Sequence, residues 1–201
     1  MSRIAVLDYG SGNLHSVSRA IAHVGGEPDV TDDPDRVASA DALVIPGVGH
    51  FGHCVRAIRA RGLDDAVAGF VGTGRPVVGV CVGMQVLFEG SQEDAERGLS
   101  FLPGISRRLP AEVKVPHIGW NDVRWRRAHR LVEGIPDGTR FYFVHAYAPE
   151  ATDDTVGVTE HGRPFAAVAA RDNVFATQFH PEKSGHAGLR IYANLVRSVA
   201  A

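Results

Sequence analysis

The chain is poor in cysteine, has no excess of positive charge and contains no long apolar run. Cys54 and Cys81 are the two cysteines among 201 residues, too few for a disulfide framework. None is needed, because 44% hydrophobic and 22% charged residues at this length can build a core without covalent staples. The formal net charge is −2 with histidine neutral, which argues against nucleic acid or an anionic membrane surface as a partner. The longest basic cluster, Arg124-Trp125-Arg126-Arg127, reads as a solvated turn. The apolar run Ile4–Leu7 is too short for the core of a secretion signal and leads into Asp8. No stretch approaches the length of a membrane span. Ten histidines fall into no Cys/His spacing typical of zinc, so neither a metal nor a cofactor is expected. Repeats, linkers and low-complexity tracts are missing as well. The expectation is a reduced, cytoplasmic protein forming a single domain over residues 1–201.

The first half alternates between strand and helix signals. Arg3–Leu7, Pro28–Thr31, Asp41–Ile45 and Pro76–Val80 read as strands. A helix capped by Asn13 is expected to run to about Val24, with Leu14, Val17, Ile21 and Val24 on one face. A second helical stretch follows Pro46–Gly49 and runs to about Phe70, and a third spans Val82–Phe88. Continuous apolar strands alternating with helices imply a parallel sheet covered on both faces. The second half carries β-rich runs at Glu112–Val115, Asn121–Trp125, Arg140–Val144, Thr155–Thr159, Phe165–Ala169 and Val174–Phe179, separated by turn signals. A terminal helix, Ala187–Val199, closes the chain. The predicted fold is α/β: a mostly parallel central sheet flanked by helices, with added antiparallel strands.

Three separated segments carry the chemistry. Gly79-Val80-Cys81-Val82-Gly83 has the form Gly-x-nucleophile-x-Gly at the end of a strand, which suits a strained strand-to-helix turn. A helix starting at once favours the thiolate and aims the Val82 N–H at an anion forming beside the sulfur. By itself this fragment fits a packed structural thiol equally well. His180-Pro181-Glu182 supplies a base and an acid two positions apart. In an extended segment the two point to one side, the acid orienting the imidazole. Pro46-Gly47-Val48-Gly49 follows a parallel strand, and its glycines let backbone N–H groups approach a substrate. Val48 and Val82 N–H are the expected oxyanion donors, with Gly47 giving the segment its freedom. Gln85 lies one helical turn beyond Cys81 and on its face.

Together these segments resemble the class I, triad-type glutamine amidotransferases, whose core is flavodoxin-like. Asp8–Asn13, Lys114–Asn121, Tyr142–Tyr147 and Lys183-Ser184 are similar to the glutaminase subunits of imidazole glycerol phosphate synthases in histidine biosynthesis, over nearly the whole chain. The resemblance implies that Cys81 attacks the glutamine carboxamide, assisted by His180 and Glu182. Ammonia would pass inside a heterodimer to a (β/α)8-barrel cyclase subunit, which makes imidazole glycerol phosphate and an aminoimidazole carboxamide ribonucleotide. It further implies that Gly49 and Gln85 contact glutamine, and that Asn13, Trp120, Tyr142 and Lys183 face the cyclase. Ala146 stands where many relatives are expected to carry a small hydroxyl residue. The resemblance also implies a glutaminase kept quiet until the cyclase binds its ligand, and a peptide flip near Gly47-Val48 would provide such control. Replacing Gly47 with a β-branched residue is then expected to lower stimulated activity far more than stability.

Two other readings compete. One is a glutaminase serving a pyridoxal phosphate or anthranilate synthase, against which the Asp8–Asn13 and Lys114–Asn121 segments argue. The other is a cysteine hydrolase of another class, which has no need of His-Pro-Glu at the last strand end.

Overall fold

The computed structural model describes residues 2–200. The chain runs β1 (Arg3–Leu7), α1 (Leu14–His23), β2 (Glu27–Thr31), α2 (Pro34–Ala38), β3 (Ala42–Gly47), α3 (Phe51–Arg59), α4 (Leu63–Gly72), β4 (Val77–Cys81) and α5 (Val82–Leu87). It continues through β5 (Gly90–Ser91), β6 (Asp94–Arg97), β7 (Ile105–Arg108), β8 (His117–Trp125), β9 (Thr139–His145) and β10 (Tyr147–Pro149). The last elements are β11 (Thr155–His161), β12 (Arg163–Arg171), β13 (Val174–Thr177) and α6 (Gly185–Val199).

Nine strands form one sheet in the order β2-β1-β3-β4-β13-β12-β11-β8-β9. The first five are parallel to one another, and the remaining pairings are antiparallel. The parallel part has the doubly wound order 2-1-3-4-5, with its crevice outside the carboxyl ends of β1 and β3. Every residue of β3 and β4 is buried, as strands covered on both faces require, and this is why they read as unbroken apolar runs. Helix α1 packs against α6, while α4 packs against α2 and α3. Strand β8 instead alternates, with His117 buried and Ile118 and Trp120 exposed, because one of its faces is open. A small second sheet, β10-β7-β5-β6, sits beside the first. No helix among the described residues is long and apolar enough to cross a membrane.

The structure departs from the sequence reading in several places. The helical stretch expected to reach Phe70 is two helices, broken where Gly62 adopts φ +65°, a conformation that glycine enters without steric cost. Strand β3 does not stop at Ile45 but passes through Pro46 to Gly47. Proline is tolerated there because β1 pairs β3 only up to Val44, leaving no bond for the missing N–H on that side. Glu112–Val115 is irregular chain, a turn ending at Glu112 followed by bends, rather than a strand, since Pro110 and Pro116 bracket it and remove ladder donors. The terminal helix begins at Gly185, two residues earlier than expected.

Candidate active site

The elbow forms as its letters require. Cys81 stands between β4 and α5 at φ 57°, ψ −112°, left-handed backbone that a non-glycine residue adopts only under constraint. The constraint is contact. A Cβ on Gly79 would meet Leu87 Cδ1 and the Gly83 carbonyl, and one on Gly83 would be driven into the Ile45 carbonyl of β3. Strands β3 and β4 are neighbours in register, with Gly47 opposite Cys81, so the Pro46–Gly49 segment and the elbow share one ladder. A Cβ on Gly47 would strike the Gly83 amide and the Tyr9 hydroxyl. A β-branched residue at 47 would therefore disturb packing and stability as well as activity, contrary to the expectation from sequence.

His180 and Glu182 meet by a different route from the one expected. Pro181–Lys183 is a single 3-10 turn rather than an extended strand end. The turn brings His180 Nδ1 to 2.7 Å from Glu182 Oε1, with both side chains all but closed to solvent. The Glu182 carboxylate can only accept, so Nδ1 carries a proton toward it and Nε2 is the nitrogen left to take up and release the second proton. Nε2 is buried with no hydrogen-bond partner. Burial works against the charged imidazole, but interactions with Cys81 and Glu182 outweigh it and raise the pKa to about 10. The backbone anchors the base as well. His180 N–H donates to the Tyr142 carbonyl at 2.9 Å. Ser184 Oγ donates to the His180 carbonyl at 2.6 Å and accepts from Tyr142 N–H at 3.0 Å.

These groups converge on a cavity of about 340 Å³ lined by Cys81, Val82, Val48, Gly49, Gln85, His180 and Lys183, with Val144–Tyr147 and Glu93 completing the wall. This volume suits a small molecule. Gly49 has φ +88° and Val48 is 41% exposed, so the segment after β3 forms an open rim. Ala146 presents only its methyl group and backbone there. A larger hollow of about 700 Å³ at the end of β8, lined by Trp125, Arg126, Arg127 and Ile135 among others, contains no cysteine.

Four expected partner-facing residues fall into two groups. Trp120 is exposed and lies opposite Tyr142 in the β8–β9 ladder, their rings 6.2 Å apart. Lys183 is exposed at the cavity rim. Asn13 has another engagement: it precedes α1 without capping it through its side chain and donates instead to Glu182 Oε1 at 3.2 Å.

Several residues went unnoticed in the sequence. Glu93 puts its carboxylate on the cavity wall and accepts the Phe51 N–H at 2.8 Å. Tyr9 donates to the Pro46 carbonyl at 2.6 Å. Ser11 donates to the Val48 carbonyl at 2.8 Å, and the buried Cys54 thiol reaches the same oxygen at 3.5 Å. Burial pushes the Cys54 pKa up, so this second cysteine stays a thiol. Apart from the Cys54–Val48 contact, made across six positions, these contacts join residues far apart in the chain, and no local pattern signals them.

The family model described as Glutamine amidotransferase class-I matches residues 5–198. A protein of Moorella thermoacetica described as imidazole glycerol phosphate synthase subunit HisH is 45% identical over 197 residues, covering 96% of this chain and 94% of the relative. One of the same description from Symbiobacterium thermophilum is 47% identical over 202 residues, covering 99% and 95%. The solved structure of PurLQS from Thermotoga maritima superposes with a TM-score of 0.75 at 20% identity, over 98% of each chain, a likeness of fold alone. The chain belongs to the class-I glutamine amidotransferases, among the HisH subunits of imidazole glycerol phosphate synthase.

Proposed function

We propose that this chain is the glutaminase subunit of an imidazole glycerol phosphate synthase, hydrolysing glutamine at Cys81. The observation that carries the reading is the buried His180–Glu182 pair, 2.7 Å apart, whose free Nε2 serves a cysteine held at a strained elbow. The Cys81 sulfur attacks the side-chain carbonyl carbon of glutamine, and the N–H groups of Val48 and Val82 receive the oxyanion. The C–N bond breaks as His180 gives its proton to the leaving ammonia. The γ-glutamyl thioester is then attacked by water, whose proton goes to His180. The C–S bond breaks, glutamate leaves, and the sulfur is restored. Glu93 is placed on the wall to meet the ammonium group of the substrate, and Gly49 and Gln85 complete the pocket.

Ammonia is then delivered to a (β/α)8-barrel cyclase subunit in a cytoplasmic heterodimer. The exposed Trp120, the adjoining Tyr142 and Lys183 form the docking face, and Asn13 links that side to Glu182. A docked partner makes chemical sense, because ammonia released into neutral water is protonated and loses its nucleophilicity. A turn of the Gly47–Val48 peptide, bringing the Val48 N–H into the cavity, couples hydrolysis to the partner. The test is ammonia release from glutamine, with and without the cyclase subunit and its nucleotide ligand, in wild type and Cys81→Ala. Activity that survives Cys81→Ala sinks the mechanism. Stimulation by a different synthase subunit and not by the cyclase would reassign the partner.

A further inference from the structure

Behind the cavity wall lies a chain of hydrogen bonds whose direction is fixed. The Tyr147 carbonyl can only accept. It takes His145 Nδ1–H at 2.9 Å and Gln85 Nε2–H at 3.0 Å. His145 Nε2 must therefore accept, and His117 Nδ1–H donates to it at 3.0 Å. His117 Nε2 in turn accepts from Asn121 Nδ2, 3.3 Å away. On the other side Gln85 Nε2 gives its second hydrogen to Gln178 Oε1 at 3.0 Å. That fixes the orientation of the Gln178 amide, and its Nε2 donates to Cys81 Sγ at 3.7 Å. Gln178 is wholly buried and Gln85 nearly so, which makes each of these bonds costly to leave unmade.

We propose that Gln178 is a further catalytic residue for the glutaminase reaction, its carboxamide N–H holding the Cys81 sulfur and favouring its anionic form. The proposal rests on the reading of Cys81 as the nucleophile. A hydrogen bond to a charged acceptor is among the stronger ones, and here the donor is oriented in advance by Gln85. His180 takes and returns the proton, while the Gln178 amide, 3.7 Å from the sulfur, never titrates. It thereby supports the thiolate before attack and again when the C–S bond breaks and glutamate leaves. The titratable groups interacting with Cys81 are His180, Tyr9 and Cys54, with His145, Glu93 and Lys183 on the cavity wall. Gln178 is the neutral donor among them.

The test is the pH dependence of Cys81 alkylation by iodoacetamide in the full chain, with Cys81→Ala reporting any labelling of Cys54. Steady-state glutamine hydrolysis with the cyclase partner accompanies it. Gln178→Met removes the donor at similar volume. Its alkylation curve is expected to move up by about one pH unit or more, and kcat to fall at least about tenfold at neutral pH with KM changed far less. Gln178→Glu keeps the shape and still accepts from Gln85, so it reports even if the methionine variant does not fold. Its curve is expected to move further in the same direction, because a carboxylate beside the sulfur opposes the anion. Variants that alkylate on the wild-type curve with wild-type kcat overturn the proposal, whether or not they melt earlier. A wild-type protein that neither alkylates at Cys81 nor releases ammonia overturns the nucleophile itself, and this proposal with it.

Discussion

Asn13 and His180 share one oxygen of Glu182: the amide donates to Oε1 from 3.2 Å and the imidazole from 2.7 Å. The carboxylate that orients the base is thus itself oriented by the loop after β1. Removing the amide leaves Glu182 free to rotate without emptying the site. Asn13→Ala is expected to lower kcat by up to about tenfold with little change in KM and a near-wild-type melting temperature. An unchanged kcat, measured with saturating glutamine and partner, would show that His180 needs no such support.

Acid should unfold the protein through its histidines. Burial is the main cause that lowers the pKa of His117 to about 4, of His129 to about 4 and of His145 to about 3, with neighbouring charge adding to each. All three lie below the ordinary value of 6.5, so between about pH 3 and 6.5 the unfolded chain binds more protons than the folded one. Stability therefore rises with pH across that window and is lost as pH falls through it. Urea unfolding at several pH values checks this. His145→Gln should flatten the slope below pH 6, and a slope as steep as that of wild type would contradict the assignment.

The glycines of the site differ in what they guard. Gly83 leaves no room between α5 and the Ile45 carbonyl, whereas Gly49 has open space and only a positive φ. Gly83→Ala should cost about 3 kcal/mol or more by overpacking and abolish hydrolysis. Gly49→Ala should cost only about 1–2 kcal/mol for its left-handed backbone. Denaturant titration ranks the two, and equal losses would mean that the elbow yields more easily than its contacts indicate.

The Val48 carbonyl is held by the Ser11 hydroxyl at 2.8 Å and by the Cys54 thiol at 3.5 Å. That carbonyl lies on the Val48–Gly49 peptide, next to the Gly47–Val48 peptide, so the two bonds hold Val48 against a turn of its own N–H into the cavity. Ser11→Ala removes the shorter one, so glutamine hydrolysis without partner ligand should rise by a few-fold to about tenfold, and the ratio of stimulated to unstimulated rate should fall. Kinetics with and without the nucleotide ligand measure both. An unchanged ratio would mean that the flip is governed by other contacts.

The parallel half of the sheet was legible in the sequence because both faces of β1, β3 and β4 are covered, which leaves continuous apolar runs between glycine breaks. The elbow was legible because a strained turn between packed elements tolerates only glycine at 79 and 83. The His180–Glu182 pairing was found from spacing, although the chain makes it with a 3-10 turn; two residues apart suffices in either geometry. Strands β5, β6, β7 and β10 have two to four residues each, too short for any period to register. Gln178 sits inside an apolar segment and reads as a strand residue, since its partners Gln85 and Cys81 lie more than ninety positions away. Asn13 had every local mark of a helix cap, and only the tertiary fold gives its amide a carboxylate instead.

The three hydrogen bonds among Tyr142, His180 and Ser184 make one residue a lever with a very short arm. Its ring lies beside exposed Trp120, while its backbone carries the general base. A displacement of β9 is passed directly to the backbone of the general base, because the His180 N–H bond to the Tyr142 carbonyl joins the two main chains. Whatever rests on that aromatic pair therefore has a mechanical grip on proton transfer, from a place where it never meets the substrate.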